Sequence, residues 1–376
     1  MRSAKRIPLH ITLSICSTLL TASVGDAQIQ IDRFTVDTFG ARALAISRNG
    51  QFVVGGHDAP WLWNSSSGVS FLPTSVAGDS LAFVEDAVAI SDDGQTIVGI
   101  GQSSNSCDDE TELFLYSSDD GWAKLVGSDS EFGGLSADGM IAAAAAYQVF
   151  DRDECPSETE GPYESGIVLT DGSVTTLRTP ETLSRAKPAD MSSDAGVIAG
   201  NAIREVTAMG NQLMQAIVWE SPLEFVELPM PPNAVEVRAT AISSDGQTVV
   251  GRQRNTDQFG PTLAFRWNRE HGLTALEGDA AQAIDVSFNG RMIVGSSTTL
   301  GDVIWLDDLA PLALTDYLAE FGFDDAGFQF IDMSDDGRTF LGRSGNEFVV
   351  VTVPEPTALM LLMCGVMALS GLLRQA

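Results

Sequence analysis

Residues 239–251 read Ala-Thr-Ala-Ile-Ser-Ser-Asp-Gly-Gln-Thr-Val-Val-Gly, and most of the chain is a series of variations on them. Close copies begin at Arg42 (Arg-Ala-Leu-Ala-Ile-Ser-Arg-Asn-Gly-Gln-Phe-Val-Val-Gly) and at Glu85 (Glu-Asp-Ala-Val-Ala-Ile-Ser-Asp-Asp-Gly-Gln-Thr-Ile-Val-Gly). Others lie at 283–290 (Ala-Ile-Asp-Val-Ser-Phe-Asn-Gly) and 330–337 (Phe-Ile-Asp-Met-Ser-Asp-Asp-Gly), with worn ones at 134–139 and 189–196. The turn position falls at residues 50, 94, 139, 195, 246, 290 and 337, in steps of 44, 45, 56, 51, 44 and 47. A recurring period of roughly 40–50 residues marks a propeller blade or a solenoid unit.

Each period carries four short apolar stretches, in the best copy at residues 236–242, 248–252, 263–268 and 273–277. Asp-Gly or Asn-Gly between the first two predicts a two-residue hairpin with φ > 0 at both central positions. In one copy, Asp194-Ala195-Gly196, the glycine moves by one residue, which predicts a bulged or wider turn. The stretch after the turn is apolar on consecutive residues (Phe52-Val53-Val54, Thr248-Val249-Val250), as in strands covered on both faces. An aromatic recurs in the third stretch, at Trp63, Tyr116, Trp219, Trp267, Trp305 and Phe348. The third copy has only Val168-Leu169 there and an alanine run at 142–146, so it is expected to pack least well.

Only two stretches fit between Gly337 and Pro354, and the missing outer strand is found at the other end of the chain, at residues 29–36. The expected fold is therefore all-β, a seven-bladed β-propeller of four-stranded blades, with the N-terminal strand completing the last blade and few strand edges left open. Leu314, Leu318 and Phe321 fall on one face of a short helix inserted before the last repeat.

Residues 1–27 read as a secretory signal: basic Arg2, Lys5 and Arg6, an apolar run at 7–20, and a small-residue cleavage site ending at Ala27. Removing them takes the net charge from −30 to −32, because three basic residues and Asp26 leave together. Such a surface repels nucleic acid and anionic lipid, and nucleic-acid binding is set aside on that ground. Cys107 and Cys155 occupy the loop between second and third strands in neighbouring repeats; in an oxidising compartment they are expected to pair. The chain ends with Pro354-Glu355-Pro356, an apolar stretch at 358–373 and Arg374. The prolines hold their segment extended, in a form a processing protease can grip. The apolar stretch reads as a short transmembrane helix with its basic end cytoplasmic.

This ending resembles the PEP-CTERM sorting signal of bacterial exported proteins, carried by Pro354, Glu355, Pro356, the short apolar helix and the basic residue behind it. The resemblance implies an exosortase-type processing protease as partner and a place in the cell envelope or extracellular matrix, often alongside exopolysaccharide. The body is similar to extracellular HAF-type repeats through Ala-x-Ala-Ile-Ser-x-Asp-Gly-x-x-Val-Val-Gly and the later Ala264-Phe-Arg-Trp267. Neither resemblance implies a reaction.

Chemistry is sparse. His10 leaves with the signal, His271 sits in a short turn, and a lone His57 lacks the partners that a triad or a zinc site needs. No nucleophile elbow, phosphate loop or Cys-x-x-Cys is present. The Asp of Ser-x-Asp-Gly is read as capping its own turn. The second-to-third-strand loops are long in copies two to five and emerge together on the face opposite the turns, which makes that face the expected recognition surface. Two of them are acidic, with Asp108, Asp109 and Glu110 in one and Asp151, Asp153 and Glu154 in the other. A solvated acidic rim is the favoured reading; calcium is the metal such carboxylates would otherwise hold. No cofactor is expected. The main reading is an exported, non-enzymatic binding or structural module. The alternative is a secreted glycosidase using paired carboxylates near the channel, for which Asp285 and Asp332 are the candidates.

Overall fold

The Ser-x-Asp-Gly turn fixes the geometry on which everything else is built. Ser243 Oγ donates to Asp245 Oδ1 (2.6 Å) and accepts from the Thr248 amide (2.9 Å), while Asp245 Oδ1 accepts from the Gln247 amide (2.9 Å). The Gly246 amide closes onto the Ser243 carbonyl at 2.7 Å. The same side-chain pattern recurs at Ser47, Ser91, Ser136, Ser192, Ser287 and Ser334. Among the turn residues of this copy only the glycine has positive φ (+71° at Gly246), so the expected two-residue turn with two left-handed residues does not form. The Ser and Asp side chains instead stabilise a wider turn with one left-handed residue. In the fourth copy Ala195 takes that left-handed place (φ +57°) and Gly196 follows it, so the turn is of the same type as the others and a non-glycine residue carries the strain.

The computed structural model describes residues 29–102, 111–126, 130–147, 163–169, 173–207, 210–255, 262–307 and 310–354. Four sheets have four antiparallel strands in chain order, beginning at Glu131–Leu135, Ser184–Met191, Glu236–Ile242 and Ala280–Val286. A fifth runs Gln30–Phe34, Glu347–Thr352, Thr339–Ser344, Phe328–Met333. The chain start thus pairs with its far end, Gln30 opposite Thr352 and Phe34 opposite Phe348, as expected. The first two repeats merge into one nine-stranded sheet. Gly56 bridges Asp86, and the connector strand Ser75–Val76 pairs with both Asp79–Ile90 and Gly121–Val126.

Apolar cores lie between consecutive sets of strands. Val249 and Trp267 pack on Ala199 and Val218; Val53, Trp61 and Trp63 pack on Leu341, Phe348 and Val350, which closes the ring. Alanines 142–145 fill the third copy's core, where other copies place larger side chains. The helix is shorter than the apolar pattern suggests, Leu314–Ala319, and buries Leu314, Tyr317 and Leu318 beside Phe340. The third-strand aromatic position pairs with the third residue after the turn's glycine, as in Val53–Trp63 and Val249–Trp267. By that register the last repeat has Val351, opposite Phe340, and Phe348 is a separate contact that meets Phe34 (5.5 Å between rings). In the fourth copy the expected long loop is largely a ribbon, because Ile198–Val206 and Gln212–Ser221 stay paired to its tip.

Seven turns are linked in a closed circuit at one end of the ring. Asp92 N donates to Ala137 O, Ala137 N to Ser193 O, Ser193 N to Ser244 O, Asp245 N to Phe288 O, Phe288 N to Asp335 O and Asp335 N to Arg48 O. The Asn49 amide to Asp92 Oδ1 (2.8 Å) completes it.

Candidate functional site: the central channel

The inner strand of every repeat bulges at the same place, two to four residues before the turn serine, for example between Ala239 and Ala241 and between Ala283 and Asp285. A bulge adds one residue and re-aims its neighbours. Here it brings the strand's own carbonyl over the second strand: a Cβ on Gly251 would lie 2.0 Å from Arg238 O, which is why this position is glycine. The added residues, among them Val88, Ala189, Thr240 and Ile284, line a central channel of about 240 Å³.

Arg48 closes the turn end of this channel. It occupies the variable place of Ser-x-Asn-Gly and crosses the ring to reach Met191 O (2.6 Å), Ser244 Oγ (2.7 Å) and Leu135 O (3.3 Å). Its guanidinium also faces Asp335 at 3.5 Å and Asp190 at 3.7 Å. One side chain from the first repeat thereby ties together the third, fourth, fifth and seventh.

Three carboxylates stand above it, Asp190, Asp285 and Asp332, each two residues before a turn serine. All three are half-buried and line the channel. Burial pushes Asp190 up to about 6 against the opposing pull of Arg48, and pushes Asp332 up to about 6 as well. Asp285 is raised well above the usual carboxylate range by burial and then by the charge of Asp332.

The three differ in what holds them. Asp190 accepts from Met191 N (2.8 Å) and, across to the next inner strand, from Ile242 N (2.9 Å). Asp332 does the same with Met333 N (2.9 Å) and Ile46 N (2.8 Å). Both clip one repeat to the next, and in both cases the next repeat has Ala at the equivalent place, which leaves its amide free to donate. Asp285 accepts from Val286 N (2.6 Å), but the next repeat carries Asp332, whose own carboxylate has already taken the Met333 amide. Asp285 Oδ2 is therefore buried with no N–H or hydroxyl donor among the described residues. It lies near enough to Asp332 for the two to share a hydrogen bond once one of them carries a proton.

At the opposite, loop end the inner strands present polar residues five places before the turn serine. Arg42 pairs with Asp86 (3.3 Å) and Lys187 with Glu131. Arg238, Gln282 and Gln329 occupy the same register in later repeats. Arg238 is held below the usual guanidinium range by burial and by neighbouring Arg252, against the pull of Glu236 and of Glu131.

Asp285 and Asp332 are thus brought together as expected. Asp190 escaped the sequence reading because its repeat is worn, although its position before Met191-Ser192 is the same. Arg48 and the polar mouth were missed because their roles depend on reach across the ring. His57 packs against Gly40 at the edge between the first two repeats, and His271 is an exposed turn residue bonded to Asn268. Cys107, Cys155, Asp108, Asp109, Glu110, Asp151, Asp153, Glu154, Ala27, Glu355, Pro356 and the apolar tail all lie outside the described residues. Among the described residues no group of three or more His, Cys, Asp or Glu is arranged to hold a metal, and no helix is long and apolar enough to cross a membrane.

No family model and no curated protein matches the chain. Solved structures do. The β-propeller domain of the Trilobed protease from Pyrococcus furiosus is 13% identical, with a TM-score of 0.52 over 82% of this chain and 93% of that one. An oligogalacturonate lyase in complex with manganese is 12% identical, with a TM-score of 0.51 over 87% and 97%. At such identity the likeness speaks for the fold alone: an all-β, propeller-like ring.

Proposed function

We propose that the chain is an exported binding module, a seven-bladed propeller without catalytic activity that meets its partner at the loop end of the channel. Seven bulged inner strands and seven linked turns support the count, with the nine-stranded sheet read as two fused blades. The observation that carries the binding reading is the asymmetry of the channel. Arg48 closes one end, while the other carries the Arg42–Asp86 and Lys187–Glu131 pairs and Arg238 on the face where the long loops emerge. The sorting-signal reading of the tail supports delivery to the cell surface by an exosortase-type protease, with exopolysaccharide or a surface protein as the partner.

The glycosidase alternative needs two carboxylates roughly 5–9.5 Å apart with a sugar between them. Asp285 and Asp332 are close enough to share a hydrogen bond, which leaves no room for a sugar between them and favours binding over turnover. A panel of glycans and envelope extracts, applied to the purified exported chain, tests the reading. Binding lost in Lys187→Ala and Arg238→Ala without release of reducing ends supports it. Release of reducing ends that disappears in Asp285→Asn overturns it.

A further inference from the structure

We infer that the upper half of the channel is a proton–cation exchange site that takes the head of a primary alkylammonium. The inference rests on the reading that the channel is entered from its loop end. Its starting point is the buried Asp285 Oδ2, left without a donor because Asp332 has taken the amide that the other two carboxylates use. A carboxylate oxygen in that position needs either a proton or a cation.

The channel already holds one cation by this chemistry. Arg48 satisfies carbonyls, a hydroxyl and the Asp190 and Asp335 carboxylates at the turn end. Its charge is matched there, and among the described residues Asp285 and Asp332 have no equivalent counter-charge beside them. The cations nearest the other end, Arg42 and Lys187, are paired with Asp86 and Glu131 at the mouth, and Arg238 lies on that same rim. Without such a cation, a proton shared between Asp285 and Asp332 is the other way to satisfy Asp285 Oδ2.

A metal ion fits poorly. Calcium takes six to eight oxygens, whereas each oxygen of Asp190 and of Asp332 already accepts one main-chain amide and has only its second lone pair to offer. An ammonium needs about three acceptors, and its stem would lie along Val88, Ala189 and Ile284 in a space of about 240 Å³. That space suits a short unbranched chain and not a bulky ring system.

The test is calorimetry on the exported chain with n-pentylamine and 1,5-diaminopentane, against n-pentanol and calcium chloride. Titrations run in two buffers of different ionisation enthalpy. We expect the amines to bind with release of about one proton per site, and affinity to rise roughly tenfold per pH unit until the pair is ionised. Asp285→Asn, which keeps the shape, should weaken binding at least tenfold, and Ile284→Phe should block it without touching the carboxylates. No amine binding by folded protein overturns the inference, as does equal binding of calcium or pentanol, or undiminished binding by Asp285→Asn. A chain that binds a partner through Lys187 and Arg238 but no amine sinks this inference alone. One that binds amine but whose partner ignores those residues sinks the reading of the mouth alone.

Discussion

Replacing Arg48 with Met tests whether a single side chain holds the turn end of the ring. The guanidinium makes two short bonds, to Met191 O and Ser244 Oγ, and faces two carboxylates within 4 Å. Its side chain is only 17% exposed, so little of this is lost to solvent screening. Removing one partner of such a buried set costs about 3–5 kcal/mol, mostly through the carboxylates left unpaired. For a repeat body of this length, ~4 kcal/mol corresponds to a fall of about 6 °C in Tm.

The pH dependence separates this from simple loss of packing. The folded pKa of Asp190 is about 6, above the unfolded value of roughly 3.9. A group raised on folding contributes stability that is complete below its unfolded pKa and is lost as pH rises through the folded one. Arg48 holds Asp190 down, so its removal moves the folded value higher and extends the loss to higher pH. The deficit of Arg48→Met should therefore be largest at pH 8 and shrink by about 1–2 kcal/mol at pH 5, with one pKa unit worth roughly 1.4 kcal/mol. Thermal melts by circular dichroism at pH 5, 6.5 and 8 measure it. A deficit that is the same at all three, or absent at pH 8, refutes the reasoning.

The wild-type chain should itself lose stability between pH 5 and 8, since Asp190, Asp285 and Asp332 are all raised by burial; Asp285→Asn should flatten that slope in the same melts. Gly290→Ala should cost about 2–3 kcal/mol, because φ is +71° and the new Cβ would lie 2.2 Å from Thr248 Oγ1. Adding Thr248→Ala should recover the steric part only, as read from the double-mutant cycle in denaturant titrations. Ala195→Gly should stabilise slightly, by about 0.5 kcal/mol, as relief of left-handed strain is offset by glycine's chain entropy and lost contact with the core around Ile141. Phe34→Ala, which removes a ring stacked 4.7 Å from Trp63 across the closing seam, should cost about 2 kcal/mol and lower the protection of amides 347–352 in hydrogen exchange.

The ring was legible because each of its causes is local. Ser, Asp and Gly at fixed spacing build the turn, consecutive apolar residues after it demand cover on both faces, and the shortage of strands after Gly337 is met by residues 30–34. The turn type was misread because Asn-Gly and Asp-Gly suit tighter hairpins, and the serine five residues upstream of the Thr248 amide decides otherwise. The channel was less legible because the bulge breaks strict alternation, so parity along the strand does not say which side chains point inward. Even with the bulge known, the state of Asp285 depends on whether the following repeat has Ala or Asp at the same place, a relation between positions 47 residues apart. Arg48 had no signal of its own beyond being the one basic residue among the seven variable turn positions.

The pairing of Gln30 with Thr352 has a geometric corollary. Thr352 also pairs with Thr339, just after a turn, so the polypeptide enters and leaves the ring on the side sealed by Arg48. A tether running on beyond Pro354 would hold that sealed side toward whatever it is fastened to. The loop end would then look away from the attachment point, like the rim of a cup standing on its base.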